Sequence, residues 1–158
     1  MGNKVAVVMG SDSDWGIMKE AVQALKDFGI ESEASIVSAH RSPQEMFEFA
    51  SQAKDRGFSV LIAGAGGAAH LPGMLAALTS LPVIGVPVSV TELKGFDSML
   101  SILQMPKGVP VATVAINGAF NAGLLAVQIL AQSQPELYKR LETYRENLRK
   151  DILSRKLS

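Results

Sequence analysis

Cysteine is absent, so the chain can form no disulfide, no thiolate metal site and no cysteine nucleophile. Histidine occurs only at His40 and His70, which argues against a His-rich metal centre. Neither sign of charge is in excess. Lys and Arg total 15, Asp and Glu total 15, and the formal net charge is zero. Electrostatics therefore give no reason to expect nucleic acid or an anionic membrane as partner. Between residues 57 and 91 there is no Asp, Glu, Lys or Arg. A membrane span needs about twenty continuous apolar residues, but Gly64, Gly66, Gly67, Pro72, Pro82 and Pro87 break this stretch. Buried strands joined by glycine loops account for it better. A secretion signal is also missing: the apolar run at residues 5–9 is too short, with Lys4 as its only charged flank. Met1-Gly2 opens an acylation pattern, but Ala6 stands where Ser or Thr is needed. The expectation is a cytoplasmic protein with no membrane and no nucleic-acid partner.

What is present suits a globular fold. Of 158 residues, 47% are hydrophobic and 19% charged, enough for one buried core. Short β-rich runs alternate with helical patterns. Residues 4–9 are almost continuously apolar, as in a strand buried on both faces of a parallel sheet. Residues 14–28 carry Met18, Ala21, Val22, Leu25 and Phe28 at helical spacing, and Gly29 ends the pattern. Residues 33–37, 59–63, 82–86 and 109–115 read as further strands; 42–56, 68–78, 96–104 and 119–133 read as helices. This alternation predicts an α/β fold, a flavodoxin-like three-layer α/β/α sandwich whose five-stranded parallel sheet runs in the order 2-1-3-4-5. No linker or repeat divides residues 1–158, so one domain is expected. Residues 135–157 form a C-terminal helical tail. There Leu137, Leu141, Tyr144, Leu148 and Ile152 make an apolar stripe that suits packing on its own domain or on a neighbouring subunit.

In an open parallel sheet, ligands bind beyond the carboxyl ends of the strands. After the first strand comes Gly10-Ser11-Asp12-Ser13-Asp14-Trp15. Ser11 and Ser13 offer hydroxyls at a helix N-terminus, where phosphate is favoured; Asp14 would repel phosphate but suits ribose hydroxyls. After the second strand comes Ser38-Ala39-His40-Arg41-Ser42-Pro43-Gln44-Glu45. Ser42 and Glu45 have capping-box spacing, with Pro43 at the first helical position. His40 can give and take a proton near neutrality, and Arg41 carries a fork of donors matched to phosphate. After the third strand comes Gly64-Ala65-Gly66-Gly67-Ala68-Ala69-His70-Leu71-Pro72-Gly73. It fits the loose dinucleotide pattern G-x-G-x-x-A but lies after the wrong strand, without the acidic partner that pattern needs. Its bare positions, Gly66 and Gly67 among them, let a ligand lie against backbone, with His70 beside them. The loops around residues 87–95, 104–106 and 117–119 are open to pocket or interface roles. Hydroxyls, a His–Arg pair and a glycine platform at successive strand ends point to a small phosphorylated substrate and proton transfer by His40.

Taken together with Met74 and Gln104-Met105-Pro106, these motifs resemble the class I N5-carboxyaminoimidazole ribonucleotide mutase family, also called the catalytic subunit of phosphoribosylaminoimidazole carboxylase. The resemblance runs from Lys4 to about Leu130. It implies an octamer with active sites at subunit contacts, no metal and no organic cofactor. It implies an isomerase of purine biosynthesis that moves a carboxylate from an exocyclic nitrogen to ring carbon C4 through a CO2 intermediate. His40 matches the family's general acid–base, and Ser11, Asp14 and Arg41 its nucleotide-binding residues. Ser13 would join them on the phosphate beside Ser38, and Gly66, Gly67 and His70 would enclose the CO2. The chain departs from the family at Ser42, where Thr is usual, and at residues 116–121, a shorter loop. Two other readings stay open: a class II carboxylase that uses free CO2, and a non-catalytic module that binds a nucleotide.

Overall fold

In a computed structural model that describes residues 3–156, β1 (Lys4–Met9) is the second strand across a five-stranded sheet. The Met1-Gly2 start and the end of the tail at Leu157 lie outside the described residues. The other strands are β2 (Ser32–Ile36), β3 (Phe58–Gly66), β4 (Val83–Val88) and β5 (Ala112–Thr113). All four pairings are parallel and the order is β2-β1-β3-β4-β5, as the alternation predicts. The helices are α1 (Trp15–Asp27), α2 (Pro43–Gln52), α3 (Leu71–Leu78), α4 (Phe96–Leu103), α5 (Ala119–Ala131) and α6 (Pro135–Ser154).

Successive strand side chains point to opposite faces. Val5, Val7 and Met9 therefore join Met18, Leu25 and Val127 in the layer of α1 and α5, while Ala6 and Val8 join Met46, Phe49, Leu71 and Leu75 in the layer of α2 and α3. Both faces are covered, and each fully buried Val or Leu contributes about 1.5–3 kcal/mol. The apolar stripe of α6 divides. Leu137 and Leu141 are buried, and Tyr144 meets the Phe28 ring edge-on at 5.5 Å, but Leu148 and Ile152 are exposed. Among the described residues no helix is long and apolar enough to cross a membrane.

Several elements depart from expectation, α2 among them, which ends at Gln52 rather than at residue 56. β3 runs on through Gly64, Ala65 and Gly66, which pair with Val86, Pro87 and Val88; the parallel ladder overrides the low strand preference of Gly and Ala. Pro87 is tolerated because its carbonyl, and hence its missing N–H, faces the Asn117 side, where β5 has already ended. β5 shrinks to two residues, since Gly108 holds a left-handed turn and Pro110 offers no donor. α3 begins at Leu71 rather than at residue 68. Tight turns from Ala69 N–H to Gly67 O and from His70 N–H to Ala68 O, both 2.8 Å, occupy the preceding residues.

Candidate active site

The carboxyl ends of β1 and β3 and the turn after β2 meet around a cleft of about 310 Å³, within the range of small-molecule sites. Its first wall is the turn after β1. Here Ser11 N–H donates to the Asp14 carboxylate at 3.2 Å, and Ser13 N–H donates to Ser11 Oγ at 3.4 Å. This is a capping box on a single 3₁₀ turn that precedes α1. Asp14 is only 4% exposed, and the Ser13 hydroxyl donates to it at 3.5 Å. Burial pushes its carboxyl above the ordinary aspartate range, against the pull of the Ser11 N–H, the Ser13 hydroxyl and the Arg41 guanidinium.

The second wall is the turn after β2. Buried Ser38 organises it: Ser38 Oγ accepts the Arg41 backbone N–H at 3.1 Å and Arg41 Nε at 3.3 Å. Arg41 Nη2 donates to the Gly10 carbonyl at 2.6 Å, which ties the second wall to the first. The capping box expected at Ser42 and Glu45 does not form. Ser42 N–H donates to Ser38 O at 3.1 Å, and this closure carries the Ser42 hydroxyl back over Ser38. There it donates to the Ser38 carbonyl at 3.2 Å and accepts the Ser38 N–H at 3.3 Å, with no bond into α2.

The third wall is the end of β3 and the turn into α3: Ala65, Gly66, Ala68, His70 and Leu71. His40 Nε2 and His70 Nδ1 are 2.7 Å apart, with the rings edge to face at a centroid distance of 4.9 Å. One proton fits between these nitrogens, and either ring can supply it; two would break the contact. A contact of this length and geometry can carry a proton from one ring to the other. Val90, on the loop after β4, closes the wall, and a side chain at position 66 would collide with it. Gly67 stands behind the wall rather than on it. Its φ of +63° favours glycine, and its N–H donates to Ser98 Oγ at 2.9 Å.

Ser11, Ser13, Asp14, Ser38, His40, Arg41, Gly66 and His70, singled out in the sequence, all line this one cleft. Val90 and Ser98 carried no local signal, because a lone Val and a lone helical Ser look ordinary. Of the loops left open, 104–106 and 117–119 do not reach it; Asn117 instead accepts the Ser89 N–H at 2.9 Å. Among the described residues no three His, Asp or Glu side chains converge as metal ligands would.

A family model described as AIR carboxylase matches residues 4–151. An N5-carboxyaminoimidazole ribonucleotide mutase of Saccharolobus solfataricus is 60% identical over 154 residues, covering 98% of this chain and 98% of that protein. The Thermotoga maritima protein of the same name is 56% identical over 152 residues, covering 96% and 89% respectively. Among solved structures, Treponema denticola PurE matches with a TM-score of 0.86 at 29% identity, over 95% of this chain and 94% of that one.

Proposed function

The chain belongs to the AIR carboxylase family, and on that premise we propose that it is an N5-carboxyaminoimidazole ribonucleotide mutase of purine biosynthesis, with His40 as its general acid–base. Near-full-length identity of 56–60% to proteins of that name supports the activity. The observation that carries the mechanism is the 2.7 Å contact between His40 and His70 in the same cleft as Arg41 and the Ser11–Asp14 capping box.

The reaction's proton balance explains why such a pair suffices. The bond from the exocyclic nitrogen to the carboxylate carbon breaks, that nitrogen takes a proton, and CO2 is released. Ring carbon C4 then attacks CO2, and the proton on C4 leaves. One proton goes in and one comes out, so a single shuttle completes the cycle. Ser11, Ser13 and Arg41 hold the phosphate, with Ser38 steadying Arg41, and Asp14 takes the ribose hydroxyls. Gly66 and His70, backed by Gly67, close the slot that keeps CO2 from water.

Residues 1–158 work as one cytoplasmic catalytic domain within a homo-octamer, the tail at residues 135–157 contributing contacts. Exposed Leu148, Ile152 and Leu153 on α6, and Phe96, Leu100 and Leu103 on α4, support that assembly.

Isotope tests the reading. The carbamate substrate is labelled at its carboxyl carbon and turned over once in excess unlabelled bicarbonate, with no ATP, biotin or metal supplied. CO2 held beside C4 recombines before it escapes, because confinement makes the second step nearly unimolecular. Most of the label should reach the product carboxylate. Complete washout, with a rate that rises with bicarbonate, would mean a carboxylase using free CO2; binding without turnover would mean a non-catalytic module.

A further inference from the structure

Only three polar side chains are buried among the described residues, Asp14, Ser38 and Ser98. The first two belong to the cleft. Ser98, on α4, is fully buried and does not line the cleft. Its hydroxyl is satisfied twice. It donates to the Val88 carbonyl at the end of β4 and accepts the Gly67 N–H, each at 2.9 Å. Gly67 lies between the end of β3 and His70, and its left-handed φ of +63° sets the direction of the turn. Next to Ser98, Asp97 accepts the Thr91 hydroxyl at 2.7 Å, which fixes the loop that carries Val90. The first turn of α4 therefore grips both segments that border this side of the cleft, the Gly66–His70 turn and the Val90 loop.

We propose that Ser98 is a positioning residue for CO2 retention, clamping the Gly67 turn so that Gly66, Ala68 and His70 keep the slot shut against Val90. A buried hydroxyl in a helix adds nothing to packing that Ala would not supply, and an apolar residue would carry no desolvation cost. Its place here follows from the Gly67 N–H, a half-buried donor that strand pairing does not reach. Without the hydroxyl the turn relaxes, the slot opens, and CO2 exchanges with solvent before C4 captures it. The inference rests on the mutase reading above.

The test is the label-retention experiment on Ser98→Ala, run beside the unsubstituted protein. Retention is a ratio within each turnover, so it does not depend on how much protein is folded. Ser98→Ala should lose most of its label to bicarbonate and lower kcat about tenfold, as small misplacements at a reacting centre do, with KM within about twofold because the phosphate and ribose groups are untouched. Label retention and kcat equal to those of the unsubstituted protein would overturn the proposal. Should Ser98→Ala not fold, Ser98→Cys fills the same space with a much weaker hydrogen-bonding group, and the same ratio decides. Washout already in the unsubstituted protein would instead overturn the mutase reading, so the two failures are distinct.

Discussion

Replacing Arg41 by Ala probes the phosphate assignment most directly. The guanidinium has five N–H donors. One donates to the Gly10 carbonyl at 2.6 Å and one to Ser38 Oγ at 3.3 Å, which leaves three for a ligand. The two internal bonds hold the fork in place, so little ordering is left to do when phosphate arrives. Losing a charged hydrogen bond costs about 1.5–3 kcal/mol, or about 10- to 150-fold in Kd. Losing the two internal bonds weighs equally on any ligand. The informative quantity is therefore a difference, measured by titration calorimetry with the product nucleotide and with its dephosphorylated nucleoside. Arg41→Ala should weaken the nucleotide by that factor more than it weakens the nucleoside. Because Arg41 is exposed, the gap should narrow at high salt. Equal losses for both ligands would refute the reasoning and move the phosphate elsewhere.

His40→Asn keeps a polar side chain of similar size but cannot shuttle a proton; kcat should fall about a hundredfold or more while nucleotide binding survives, and near-normal turnover would remove His40 from the mechanism. Asp14 carries a pKa raised by burial, so the folded protein binds more protons than the unfolded chain between the ordinary aspartate value of 3.8 and the raised one. Its contribution to stability is thus fully present below 3.8 and falls as pH climbs through that window. Asp14→Asn should melt at or above the parent temperature at pH 7, with the advantage vanishing in acid, and a lower Tm at pH 7 would contradict this. Ending the chain before Pro135 removes buried Leu137 and Leu141, about 3–6 kcal/mol of apolar burial, and uncovers Phe28. Sedimentation should show smaller or aggregated species, whereas a monodisperse monomer for the intact chain would refute the assembly.

The fold was legible in the sequence because its cause is local and periodic. Unbroken apolar runs such as Lys4–Met9 mark strands covered on both faces, and helices between them force parallel crossovers. Most of the cleft was legible for a similar reason: strand ends in this architecture converge, so Ser11, His40 and the glycine run were candidates before any geometry was known. Tertiary structure alone decided which hydrogen bonds those residues make. Ser42 turns back to Ser38 instead of capping α2, and the capping box forms at Ser11 and Asp14 instead. Tertiary structure also set the 2.7 Å meeting of His40 and His70, thirty residues apart, and the reach of Ser98 to Gly67. Propensity and spacing act over a few residues, whereas these contacts join segments brought together only by the completed sheet. A polar side chain of a common type shows no sign in the sequence of which distant donor it will satisfy.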